Sequence, residues 1–305
     1  MTAQHAATVE RITAPPTRFS PAWLAERFQG VGLHVAVIGL TAAWMVPAVG
    51  LLVSSFRPFT AITSTGWWTA LAPPFNYTLD NYAKVLSSSN LGHSLFNSFM
   101  ISIPATVIPA AVAAFAAYAF SWMKFPGRNW LFLALVGLLA VPLQLSFVPV
   151  LKVYNAIGLT PTNWGFVGVW LAHTGYGLPF AIYLLANFFR ALPSDLFESA
   201  EIDGAGTLTV FFRIVLPLSV PALASLIIFQ FLWVWNDFLV ALIYVGGAAN
   251  VAPVTVTLAN LTNSLGQGYH LLTAAAFISM IIPLVVFVSL QRYFVRGILA
   301  GSVKG

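Results

Sequence analysis

Four of the eight acidic residues in this 305-residue chain, Asp195, Glu198, Glu201 and Asp203, crowd into nine consecutive positions. Such a run offers a charged face, either to a partner or simply to water. A fifth acid, Asp237, stands in an otherwise apolar stretch, where a carboxylate is costly to hold and is a functional candidate by default. Gln230, Trp233 and Trp235 precede it and Asn236 adjoins it, so amide, indole and carboxyl groups share one segment. Indole faces stack on pyranose C–H surfaces and polar groups bond hydroxyls, which makes Gln230, Trp233, Asn236 and Asp237 candidate path residues for a sugar. The alternative is helix packing and interfacial anchoring, and for Asp237 a structural hydrogen-bond role near a helix end. His173 is a lone polar residue of the same kind, bonding a neighbouring helix or lining a path. No histidines are spaced as metal ligands, no Ser–His–Asp grouping is present, and the chain has no cysteine. No G-x-x-x-x-G-K-[ST] stretch occurs, so ATP is not bound here through a P-loop.

These residues sit in a membrane-type background. Charged residues make up 7% of the chain and apolar ones 59%, against about 25% charged in a soluble domain. A spanning helix needs about 20 mostly apolar residues, and six stretches qualify: Leu33 to Phe56, Leu95 to Phe120, Trp130 to Val150, Phe166 to Phe189, Leu218 to Tyr244 and Leu271 to Phe294. Prolines recur within them, at Pro104, Pro109, Pro142, Pro149, Pro179, Pro221 and Pro283, and predict kinks.

Six spans place both termini and the second-to-third and fourth-to-fifth connections on one side. That side carries Arg11, Arg18, Arg27, Lys124, Arg128, Arg190, Arg213, Arg292, Arg296 and Lys304; the other carries Arg57, Lys84 and Lys152. The asymmetry predicts cytoplasmic termini. The same asymmetry accounts for the net charge of +5 without nucleic acid as a partner. Residues 1–30 hold charges and prolines before any apolar run, unlike a secretory leader, and read as a cytoplasmic extension with an interfacial helix near Trp23 to Phe28.

The acidic run lies in the connection 190–217, which reads as two short helices. The first opens near Pro193 and Ser194, with Ser as a cap. It closes at Gly204, which can adopt the left-handed conformation freely. Thr207 is a candidate cap for the second, which stops before Pro217.

The run Glu198 to Gly206, ESAEIDGAG, followed by Ile214, Leu216 and Pro217, resembles the "EAA" loop of permease subunits of ATP-binding-cassette importers. Ser199 stands where that pattern has alanine. Asn97-Ser98, Phe125-Pro126-Gly127, Leu178-Pro179-Phe180, Trp235-Asn236-Asp237-Phe238 and the ending Gly297 to Gly305 resemble the carbohydrate branch, the maltose-type second permease, and within it the α-glucoside group. The resemblance implies an all-α membrane domain over 31–296 and a coupling helix-turn-helix between the fourth and fifth spans. In that domain Glu198, Ala200, Asp203, Gly204 and Ala205 would dock on a cytoplasmic ATPase. It implies that the tail 297–305, with Gly301, Val303 and Lys304, reaches between the ATPase subunits, and that the uncharged loop Gly246 to His270 meets a binding protein.

The implied partners are a homologous second permease, an ATPase homodimer, an extracytoplasmic sugar-binding protein and membrane lipid. This chain would bind no cofactor itself, ATP and Mg²⁺ belonging to the ATPase, and would catalyse no covalent step. The implied location is the bacterial inner membrane, and the implied cargo an α-glucoside or related sugar, with glycerol phosphate or a polyol as alternatives. An ion-coupled carrier would need more buried ionisable groups than one acid, and a membrane enzyme would need a catalytic cluster.

Overall fold

A computed structural model describes residues 21–88, 90–262 and 268–302, and among them there is no strand. In chain order the helices are α1 (Pro21–Ser55), α2 (Phe59–Ser64), α3 (Asp80–Ser88), α4 (Leu91–Trp122), α5 (Arg128–Gly137), α6 (Gln144–Ala156) and α7 (Pro161–Trp164). They continue with α8 (Val167–Arg190), α9 (Ser194–Ile202), α10 (Thr207–Leu218), α11 (Val220–Trp235), α12 (Leu239–Tyr244), α13 (Val254–Asn260) and α14 (Tyr269–Ser302). Among the described residues four unbroken stretches are long and apolar enough to cross a bilayer: Val31–Ser55, α4, α8 and Tyr269–Gln291. Two bent pairs, α5 with α6 and α10 with α11, bring the number to six.

The core is α4 against α8. A stripe of small residues on α4, Ala110, Ala113, Ala114 and Ala117, is buried at three- and four-residue spacing, facing Ala181, Leu185, Ala186 and Phe189 of α8, while Ala105 packs with Val169 and Ala172 nearer its start. Lipid tails are as apolar as side chains, so membrane helices associate through such close packing rather than through exclusion of water. Helices α11 and α14 close the bundle around Phe231, Trp235, Ala274 and Ala275. By contrast α1 is peripheral, with nearly all of Val31 to Val49 exposed.

Several expectations need correction. The third span is not one helix: α5 ends in a 3₁₀ turn at Leu138–Ala140, and α6 leaves at 104°. Val141 is extended (φ −83°, ψ 118°), as the residue before Pro142 must be to avoid the proline ring. The fifth span is interrupted too. Helix α11 is 16 residues long, about 24 Å, and a break at 236–238 separates it from α12. Of the prolines, Pro142 and Pro221 sit at bends, whereas Pro104, Pro109, Pro149, Pro179 and Pro283 lie inside continuous helices. The segment Trp23 to Phe28 is not a separate interfacial helix but the first turns of α1. At the other end α14 runs on through Gly301 to Ser302, so the stretch 297–302 is helical.

Candidate functional site

The connection between α8 and α11 is a helix-turn-helix. Helix α9 closes with two crossed bonds: Gly204 N–H donates to the Glu201 carbonyl (3.0 Å) and Ala205 N–H to the Ala200 carbonyl (2.9 Å). This pairing requires a left-handed residue at Gly204, whose φ is +71°. The residues it pairs, Ala200 and Ala205, turn inward onto the core; Ala200 is buried and Ala205 half-buried. The spacing Ala200–Gly204–Ala205 is thus the geometry of one helix terminus. The expected caps do not form: Ser194 and Thr207 are the first helical residues, preceded by Pro193 and Gly206, and no side-chain cap bond is made.

Helix α9 is two-faced. Phe197 and Ala200 point to the core, while Asp195, Glu198, Glu201 and Asp203 are exposed, and among the described residues none of the four has an ion-pair partner. Ile202 stands 87% exposed between Glu201 and Asp203, and Leu208 is 64% exposed across the turn. The sequence reading missed both. Their signal was an isoleucine between acids, on the side of the helix away from Ala200. A surface that combines acids with bare aliphatic side chains is suited to another protein. Within α10, residues Phe211–Val215 form a π-helical turn in which Leu216 N–H reaches the Phe211 carbonyl. This lies just ahead of Pro217, which has no amide hydrogen to donate, and the 75° bend into α11 follows.

The candidate path residues separate. Gln230 is buried, and its Nε2 donates to the Ala105 carbonyl of α4 (3.1 Å), tying two helices. Asn236 is exposed, but its amide folds back on the Leu232 carbonyl (2.8 Å). Asp237 lies in the break after α11, where it accepts from Val240 N–H (3.3 Å) and Ala241 N–H (2.9 Å) and so caps α12. A carboxylate that satisfies the first amides of the next helix competes with continuation of the previous one, which explains the interruption. Trp233 meets His173 edge-on (5.3 Å between centroids), and His173 Nε2 lies 3.7 Å from Asp237 Oδ2. Trp233, His173 and Asp237 therefore meet, while Gln230 and Asn236 are engaged elsewhere. His173 is fully buried, and among the described residues neither of its ring nitrogens has a hydrogen-bond partner.

The capping geometry makes Asp237→Asn the milder change, since its single amide oxygen keeps one of the two bonds from α12. Asp237→Ala removes both bonds and should cost about 0.5–2 kcal/mol. Thermal unfolding in detergent checks this: the midpoint should fall further for Asp237→Ala than for Asp237→Asn. Equal losses would show that the bonds to α12 do not stabilise the fold.

The loop after α12 is stitched to the start of α4. Asn97 donates to the carbonyls of Asn250 (3.3 Å) and Ala252 (3.2 Å), and Ser98 Oγ accepts from Val254 N–H (2.8 Å). Ser94 bonds Thr257 (2.7 Å). Residues 263–267 of this loop, and Val303 and Lys304 of the tail, lie outside the described residues, whereas Gly301 is in the last turn of α14.

Fold and site together define a polytopic membrane protein with an exposed amphipathic connection between α8 and α11. The chain belongs to the family of binding-protein-dependent transport system inner membrane components, which matches residues 36–300. It is 57% identical over 282 residues to the osmoprotective compounds uptake permease protein GgtD of Synechocystis sp., covering 92% of this chain and 94% of that one. It is 48% identical over 292 residues to the alpha-glucoside transport system permease protein AglG of Rhizobium meliloti, covering 95% and 74%. Among solved structures, a bacterial ABC transporter involved in import of the acidic polysaccharide alginate matches with a TM-score of 0.73 at 20% identity, over 92% of this chain and 100% of that one. At that identity the likeness speaks for the fold.

Proposed function

We propose that this chain is one permease half of an ATP-driven importer of a neutral sugar, an α-glucoside or related di- or oligosaccharide, in a bacterial inner membrane with both termini cytoplasmic. The observation that carries the reading is α9: a short helix closed on Gly204, its core face filled and its outer face a set of unpaired acids around Ile202. In this reading Glu198, Glu201, Asp203 and Ile202 meet an ATPase, which binds ATP and Mg²⁺, while Ala200, Gly204 and Ala205 shape the helix end. A second permease completes the path. A binding protein delivers solute to the outer face, where the loop after α12 is held firmly at its base. In the same reading the tail residues Gly301, Val303 and Lys304 meet the ATPase.

The cargo class rests on the likeness to the α-glucoside permease and on the lack of Lys or Arg in Val31–Ser55, α4, α11 and Tyr269–Gln291, with Arg190 only at the end of α8, which disfavours phosphorylated solutes. The likeness to the osmoprotectant permease favours a second reading, uptake of a neutral compatible solute. The two separate in cells expressing the whole gene cluster, by uptake of radiolabelled maltose, sucrose and trehalose with and without excess unlabelled polyol. ATP-dependent uptake of one disaccharide that the polyol does not suppress supports the sugar reading. No disaccharide uptake, together with ATP-dependent uptake of the polyol when it carries the label, would replace it.

A further inference from the structure

Helix α4 contacts both ends of the molecule that partners are proposed to touch, and it does so through specific side chains. At its C-terminal end Trp122 stacks on Phe197 of α9, 3.5 Å between ring centroids and 16° between planes. The same indole donates Nε1–H to the Phe189 carbonyl (2.9 Å), one of the last carbonyls of α8. One helical turn earlier Tyr118 donates to the Thr207 carbonyl (3.4 Å) and packs on Phe211, and Phe115 stacks on Phe211 at 4.6 Å. The two arms of the helix-turn-helix are therefore gripped from α4 on both sides of the Gly204–Gly206 turn. Covalently, these arms belong to α8 and α11. Without the grip from α4 they could hinge at those glycines.

At its N-terminal end α4 holds the outer loop through Ser94, Asn97 and Ser98. Between the two ends it is one unbroken helix of 32 residues, about 48 Å long, with a face of small residues locked into α8. A packed helix with discrete contacts at each end is a physical route for coupling between two faces.

We infer that α4 is the strut that carries the signal between the outer loop and the ATPase-facing helix-turn-helix, with Asn97 and Trp122 as its two positioning residues. The inference rests on the reading of α9 as the docking element, and it adds that the second span, not only the spans joined to that element, receives its motion.

The test uses the complete reconstituted complex, with two readouts: basal ATP hydrolysis and its stimulation by the solute-loaded binding protein. Asn97→Ala and Trp122→Ala are each expected to leave the complex assembled and basal hydrolysis near the parent value while stimulation falls about tenfold. Because both residues act on one strut, the double variant is expected to be no worse than either single one. The cysteine-free chain permits a second arm. Trp122→Cys with Phe197→Cys should lose stimulation, and a short bifunctional thiol reagent joining the two should restore it.

Unchanged stimulation in either single variant would overturn the inference. So would effects that multiply in the double variant, or losses of basal hydrolysis and assembly that track a lowered thermal midpoint. If the parent chain retains no ATPase when purified, the docking reading fails first, and the strut falls with it; a parent complex that hydrolyses ATP isolates the strut itself.

Discussion

Uptake through Gly204→Val is expected to collapse while uptake through Gly204→Asn survives, although valine is the smaller change in polarity. A Cβ at this position would meet nothing within 4 Å, so the first side-chain atom of either variant is accommodated. The difference lies in the backbone. Gly204 has φ +71°, a region that asparagine visits and a β-branched residue does not. Valine would have to hold a conformation costing about 1–3 kcal/mol, and the exposed α9 terminus can escape that cost by unwinding. Unwinding would break both crossed bonds, to Glu201 and Ala200, and swing Ile202 and the acids out of register. A penalty of roughly 1–2 kcal/mol shifts such a local equilibrium by a factor of about 5–30. The checks are membrane abundance, co-purification of the ATPase and sugar uptake, measured for both variants. Equal loss in the two would mean that the position is read by its side chain and not by its φ, and the helix-terminus account would be wrong.

The parts of this protein that follow local rules were readable in its residues. The run from Glu198 to Gly206 implied a helix ending at Gly204 because the end of a helix is a matter of a few consecutive residues and one sign of φ. Sparse charge and long apolar runs implied the membrane for an equally direct reason, the cost of charge in hydrocarbon. What was not readable depended on competition between distant or alternative partners. Seven prolines looked alike in sequence, but Pro104 and Pro109 stay inside α4, where packing on α8 holds the helix together, while Pro142 ends its helix. For Asp237 a solute-path role and a structural hydrogen-bond role near a helix end stood side by side in the sequence, and only the fold shows its oxygens accepting from the amides of α12. The contacts made by Trp122 had no local signature at all, because Phe197 and Phe189 come to it from other elements.

A second large effect is expected from one added methyl group at Gly177, with Gly175 two residues away as its internal control. In the interior of a helix, alanine ordinarily stabilises relative to glycine, by about 1 kcal/mol. At Gly175, which is exposed and has nothing within 4 Å of a Cβ, that gain should appear unopposed. At Gly177 a Cβ would stand 2.8 Å from both Nε2 and Oε1 of Gln230. Gln230 is 4% exposed and has its amide pinned to the Ala105 carbonyl of α4, so it can retreat only by giving up that bond among buried neighbours. An unsatisfied buried polar group costs about 1–3 kcal/mol, enough to reverse the sign of the substitution. Thermal unfolding in detergent should therefore move up for Gly175→Ala and down for Gly177→Ala. Adding Gln230→Ala removes the obstruction, so in that background Gly177→Ala should lose most of its penalty, a coupling of about 0.5–3 kcal/mol expected of side chains in direct contact. Strictly additive effects would show that α8 and α11 are not held at this distance by Gln230. The junction of α4, α8 and α11 would then have to be maintained by the alanine stripe alone.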